Sequence, residues 1–305
     1  MITVFTARRV RTMDQSLPEA TAVAVRGGRI VEVGTLETLQ PWLTRHEHVI
    51  DDRFADDVLL PGLIDPHMHP GLIALLLACE WVTPEAWDLP GRQVPATHGR
   101  DAFLARLAEL EAAQPAGEPL VVFGFHAQFH EEVWRADLDA ISTGRPIVLW
   151  QRSFHELRCN TPALEWLDAS EAAAWDPYID VESGRMWESG MAFGLRALSP
   201  HLVGGEKLGG RLAEVVGMVH RGGVTTIGDP GYGVLDLDHY LETLLSVHEG
   251  SDVPFRQYLI PAIGRYRMAY GPGFADTLAD HESRGTDRIR FLYAGKFFAD
   301  GAFIA

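Results

Sequence analysis

Cysteine is scarce in this sequence: Cys79 and Cys159 are the only two in 305 residues, and no CxxC pair occurs. That argues against a disulfide scaffold and makes a reducing compartment the expectation. Positive charge is scarce as well. The 26 Lys and Arg stand against 42 Asp and Glu, a formal net charge of −16 with histidine neutral, and no basic cluster interrupts the excess. Nucleic acid and anionic membrane surfaces need basic patches, so neither is an expected partner. Long apolar runs are missing too. The longest, residues 71–79, is far too short to span a bilayer. The N-terminal MITVFTARRVRTMD is charged by residue 8 and has no signal-peptide h-region, so a cytoplasmic protein is expected. Neither G-x-S-x-G nor a glycine-rich phosphate loop occurs, and the Ser-Phe-His-Glu run at Ser153 lacks a nucleophile elbow.

What is present begins with a core. Hydrophobic residues make up 47% of the chain, enough for one large domain or a large one with a satellite. Residues 1–60 read as short strands, ITVFTARRV, TAVAVRGGRIVEVG and VLL, with Gly27-Gly28 placed as a two-residue hairpin. A helix is expected over 100–114, with Phe103, Leu104, Leu107 and Leu110 on one face and Asp101 as its N-cap. PLVVFGF (119–125) and PIVLWQ (146–151) have the length of buried strands. From Gly209 onward helix and strand alternate: a helix over 211–221, VTTIGD, a helix over 237–249 stopped by Gly250, PFRQYLIPA, a helical piece over 274–283, then IRFLYAGKFFADG. Such alternation with short connections predicts parallel βαβ units and an α/β fold.

Thirteen histidines are many for this length, and two of them pose the chemical question. LLPGLIDPHMHPG, residues 59–71, places His67 and His69 one residue apart at the end of an apolar run. If the strand continues through them, both project from the face that also carries Asp65. Two imidazoles converging from one strand end suit a first-row metal, zinc above all; a solvated turn or a hydrogen-bonded pair are the alternatives. Lys296 ends a buried strand, where an ammonium needs a partner or a lowered pKa, and Asp300 on the same face is one available partner. Asp229, ending VTTIGD, reads as a carboxylate that supports the site rather than a ligand.

In this order the blocks resemble the amidohydrolase superfamily, metal-dependent hydrolases on a (β/α)8 TIM-like barrel. PGLIDPHMHPG is similar to the first barrel strand, GGVTTIGDPG to the second, and KFFADG to the fourth, while GGRIVEVG resembles the small β-sandwich beside the barrel. The likeness is nearest the branch that includes N-substituted formamide deformylases. It implies a β-sandwich module over 1–60, barrel over 61–305, and an inserted α+β segment at about 71–208 between barrel strands one and two. It further implies one or two divalent ions (Zn2+, with Mn2+ or Fe2+ as alternatives) held by His67, His69 and a carboxylated Lys296. His126, His130, His155 and Glu156 end the inserted strands; of these His155 and His126, with Glu188 of GRMWESG, are the implied substrate contacts.

A closed barrel needs eight strands, and only about four are legible. The chain therefore looks like the N-terminal part of a longer protein, with the general-base aspartate expected beyond residue 305. The implied reaction is hydrolysis of a small amide or formamide by metal-activated water. A deaminase of the same superfamily and a non-catalytic half-barrel that serves as a binding or assembly partner are the alternatives; a homodimer is the base-rate expectation.

Overall fold

Gly27 and Gly28 adopt φ of +57° and +72°, the left-handed pair that a two-residue hairpin requires. They join Glu19–Arg26 to Arg29–Gly34, as the sequence predicts. The computed structural model describes residues 1–232, 236–250 and 253–297, and the chain divides into two compact units, Met1–Leu63 and Ile64–Ala305. In the first unit the strands are ordered Arg29–Gly34, Glu19–Arg26, Ile2–Arg11, His48–Leu59, and the last pair runs parallel. The helix Leu36–Leu43, started by a Thr35–Thr38 capping box, lays Leu39 and Leu43 on Ile2, Val4, Ala22 and Ala24. The opposite face gathers Ala7, Val10, Ala20 and Val23. The expected sandwich is thus, among the described residues, one sheet with a helix over one face.

The second unit contains two larger sheets. The first has the order Ile289–Phe291, Arg256–Pro261, Val224–Tyr232, Leu63–Asp65, and Arg256–Pro261 runs parallel to both Val224–Tyr232 and Ile289–Phe291. Helices Lys207–Arg221 and Leu237–Gly250 flank Val224–Tyr232 in the chain, so the alternation read from Gly209 forms as expected. Leu208, Leu212, Val215 and Val219 on one helix, and Leu241 and Leu244 on the other, join Ile227 and Leu259 in one core. The last strand is shorter than IRFLYAGKFFADG implied: it spans Ile289–Phe291, and residues 298–301 lie outside the described residues.

The segment between these barrel-like pieces builds a six-stranded mixed sheet, ordered Ile179–Asp180, Arg185–Trp187, Glu156–Cys159, Ile147–Gln151, Leu120–Phe125, Glu80–Trp81. Leu120–Phe125 is buried at every residue, as a strand covered on both faces must be. The helix Arg100–Ala113 covers one face with Phe103, Leu107 and Leu110. Its N-cap is Gly99 rather than Asp101, which falls in the first turn; there a carboxylate still complements the helix dipole. Inside the sheet, Glu156 binds Arg158 Nε at 2.5 Å and Arg185 Nη2 at 2.6 Å, and the Arg158 guanidinium lies 3.8 Å from the Trp134 ring centroid. Glu156 is therefore a structural ion pair.

Among the described residues no helix is long and apolar enough to cross a membrane. His248, on Leu237–Gly250, is buried with neither ring nitrogen hydrogen-bonded. Burial first, then the nearby Arg288 charge, push its pKa down from 6.5 to about 4. As pH falls below 6.5 the unfolded chain takes up this proton before the folded one does. Stability should be intact above that value and fall by roughly 1.4 kcal/mol per pH unit towards pH 4. Urea midpoints measured across this window should drop less steeply in His248→Leu than in the wild type.

Candidate metal centre

The DPHMHPG segment makes a bend. The strand stops at Asp65, whose Oδ1 accepts the His67 N–H at 3.0 Å, and the Met68 N–H donates to Gly228 O at 2.9 Å. Gly228 permits that approach, since a Cβ there would sit 2.7 Å from Pro66 O. His69 is the N-cap of Pro70–Leu77, where Pro70 occupies the first turn without wasting an N–H. The two histidines therefore do not share a strand face as alternation implied; they flank a bend. The bend still brings them together, with ring centroids 5.1 Å apart and planes at 80°.

Asp229 fixes one of them. Its Oδ1 lies 3.2 Å from His69 Nδ1 and also accepts the Gly231 N–H at 3.1 Å. The carboxylate is almost fully buried, at 3% exposure, against 30% for the His69 ring. A carboxylate on Nδ1 sets the tautomer and leaves Nε2 as the nitrogen for a cation, the arrangement common behind metal-bound histidines. Gly231 shapes the same spot: a Cβ would stand 2.5 Å from His69 Nδ1 and 2.6 Å from Cε1. If the pair holds a divalent cation, Gly231→Ala should push the ring off Asp229 and weaken that binding by about 10-fold or more, with unchanged far-UV circular dichroism; competition against a chromophoric chelator reads the loss.

Lys296 approaches from the same end of the sheet. Its N–H donates to Pro261 O at 2.8 Å, its carbonyl accepts from the Ile263 N–H at 3.2 Å, and it forms an isolated bridge with Ala262. The residue follows the strand's end at Phe291 and is half-buried, so it does not terminate a buried strand as expected. Asp300, the alternative partner, lies outside the described residues. Among the described residues no group of three or more His, Cys, Asp or Glu is placed to hold a metal ion. The imidazoles that the described residues bring together are thus the His67/His69 pair, one of them held by a buried carboxylate, the support common behind metal-bound histidines.

The expected substrate residues fall into separate pairs. His155 Nδ1 lies 3.1 Å from Glu188 Oε1, and the Glu188 N–H donates to His155 O at 3.2 Å. Glu188 at φ +48° and Phe154 at φ +66° are both non-glycine residues in the left-handed region, a cost of roughly 1–3 kcal/mol each that functional sites often carry. His126 caps Ala127–His130, accepts the Gln128 N–H at 3.2 Å, and lines a pocket of about 250 Å3 with Gln151, Arg152 and Ser153. His130 is a satisfied core residue, its Nε2 on Thr97 O at 3.0 Å and its ring stacked on Phe103. Among the described residues no hydrogen bond or ring contact links His155 or His126 to His67 or His69. A separate cavity of about 470 Å3 contains none of these histidines, and Glu118–His201 and Arg211–Glu214 pair charges within its lining.

Sequence reasoning passed over Tyr240 and Gln257, both buried close to Asp229. Tyr240 had the look of a core aromatic on an amphipathic helix. Gln257 carried the one available signal, a polar amide within an apolar strand.

Comparison with known proteins places this geometry in a family. The model of the Amidohydrolase family matches residues 55–301, and that of an Imidazolonepropionase-like composite domain of bacteria matches residues 22–41. The Exoenzymes regulatory protein AepA of Pectobacterium carotovorum subsp. carotovorum is 26% identical over 244 residues, 75% of this chain and 49% of that protein. Two solved structures of uncharacterized metal-dependent hydrolases share the fold. The Pyrococcus horikoshii OT3 protein has a TM-score of 0.66 at 14% identity, covering 97% of this chain and 54% of its own. The Pyrococcus furiosus protein has 0.66 at 15%, covering 99% and 57%. The chain spans about half the length of these relatives. With one family model running from the strand before the histidine bend to residue 301, this chain belongs to the amidohydrolase family.

Proposed function

We propose that the full-length protein is a metal-dependent hydrolase that cleaves a C–N bond of the amide or formamide type. The observation that carries this reading is the His69 Nδ1–Asp229 contact, a buried carboxylate that orients an imidazole beside a second imidazole. On this reading His67 and His69 donate ring nitrogens to a divalent cation, with zinc favoured by imidazole donors. Lys296, as a carbamate, adds oxygen donors. A bound cation supplies acidity to water and polarisation to a substrate carbonyl. Asp229 keeps the proton on His69 Nδ1, and Gly231 leaves room for that ring.

Within this reading the substrate is a small amide, formamide or cyclic amide with a hydrophobic substituent, as expected of the branch that includes N-substituted formamide deformylases. His155, oriented by Glu188, and His126 are the proposed substrate contacts; the strained backbone at Phe154 and Glu188 supports the first pair. The test is metal analysis of the full-length protein together with a panel of formamides, N-acyl amino acids, hydantoins and an amidine-type deaminase substrate. Stoichiometric zinc, manganese or iron with turnover of one amide class is the expected result. Metal-free protein that still turns over amides ends the proposal.

A second reading has one observation in its favour: the described residues form no cluster of three or more His, Cys, Asp or Glu for a metal. On it the protein is a non-catalytic binding or assembly partner, in keeping with the name of AepA as a regulatory protein. Absence of bound metal and of turnover in the same experiment supports it.

A further inference from the structure

Behind Asp229 lie polar groups that the metal reading leaves without work. The Tyr240 hydroxyl and the Gln257 amide nitrogen are buried, in residues only 2% and 1% exposed, and neither makes a hydrogen bond of full geometry. Buried donors without acceptors are costly, so each such group calls for an explanation. Three elements bring them to one place. Tyr240 comes from the helix Leu237–Gly250, Gln257 from the strand Arg256–Pro261, and Asp229 from Val224–Tyr232. In the parallel register Ile227 pairs with Gln257 and Asp229 with Leu259, which puts Asp229 and Gln257 on the same face of neighbouring strands. Asp229, Gln257 and the Gly71 backbone are the polar groups around the Tyr240 hydroxyl. Gly71 is kept free of a side chain there, for a Cβ would come within 3.2 Å of that oxygen.

An acceptor stands opposite these donors. Asp229 spends Oδ1 on His69 and Gly231, and no hydrogen bond to its Oδ2 is described. We propose that Tyr240 and Gln257 are positioning residues for the metal centre, gripping Asp229 Oδ2 through one buried water so that Oδ1 stays on His69 Nδ1. The inference rests on the metal-dependent reading above. Burial, and then the Asp229 charge, raise the Tyr240 hydroxyl well above its ordinary pKa, so it remains a donor throughout the working range. Neither side chain touches the cation; both act through Asp229, and their removal frees the carboxylate to rotate and the His69 ring to lose its preferred tautomer.

The experiment is a zinc titration of the full-length protein by chelator competition, with Tyr240→Phe, Gln257→Met, Asp229→Asn and the double variant Asp229→Asn/Tyr240→Phe. Tyr240→Phe and Gln257→Met should each weaken zinc binding by about 10-fold, the scale of groups that orient a metal-bound histidine. The double variant should bind no more weakly than Asp229→Asn alone, because the hydroxyl acts only through the carboxylate; a general packing defect would multiply instead. If Tyr240→Phe does not fold, Gln257→Met with its own double variant reads the same coupling. Wild-type affinity in both single variants, or independent losses in the double, overturns the inference while leaving the metal reading intact. Wild-type protein that binds no zinc overturns both.

Discussion

On the proposed reading, His69→Ala in the full-length protein should abolish stoichiometric zinc and bring amide turnover to background. The histidine contributes one of the two imidazoles of the bend, and removing it leaves the buried Asp229 Oδ1 with the Gly231 N–H as its remaining partner. On the proposed reading the variant removes a ligand outright, so the affinity loss should exceed the roughly 10- to 100-fold typical of groups behind the ligands. His67→Ala should match it in zinc content but not in stability, since His67 is exposed and holds no buried partner. Asp229→Asn should fall between, with weakened binding and a retained hydrogen bond of the wrong polarity on Nδ1. Metal content by elemental analysis, read beside turnover, orders the three. Full zinc occupancy in His69→Ala would remove this histidine from the site.

The second large effect concerns stability. Glu156→Ala should destabilise the protein by about 3–5 kcal/mol, the cost of leaving a buried charge without its partner. Glu156 takes Arg158 Nε on one oxygen and Arg185 on the other, and its side chain is 3% exposed. Arg158 is equally enclosed at 4% and keeps only Glu132, at 56% exposure, as an anionic partner. Its guanidinium also lies over Trp134 and Phe125, so it cannot swing to solvent without giving up both rings. Glu156→Gln should cost less, because the amide oxygen retains one of the hydrogen bonds. Thermal unfolding should show a loss of roughly 10 °C for the alanine variant. A loss under about 2 °C would mean that water or Glu132 compensates the guanidinium.

The parts of the fold that follow local rules were open to reading from sequence. The Gly27-Gly28 turn needs only positive φ at two residues, and the helix–strand rhythm after Gly209 needs only apolar spacing. The histidine bend was half legible. Its apolar approach, prolines and glycines marked a special site, but alternation could not show that the strand stops at Asp65 and that His69 caps a helix. What sets that stop is the Met68–Gly228 hydrogen bond, a contact between segments far apart in sequence. The placement of Lys296 was not legible for the same reason: its backbone pairs with Ala262 after the strand has ended. The helix over residues 100–113 shows a smaller version, in which Gly99 takes the cap from Asp101 with a backbone conformation at φ +80°. Tyr240 and Gln257 had no local signature beyond one buried amide, because their meaning depends on where Asp229 lies.

The His69–Asp229 contact spans 160 positions in the chain. A growing polypeptide cannot complete this pair until Asp229 and Gly231 have left the ribosome. On the proposed reading a cation held there would depend on that long-range closure. Since such an ion prefers the closed chain, it should add to the unfolding free energy by mass action. If the proposed centre holds a cation, stripping it with a chelator should lower the melting temperature.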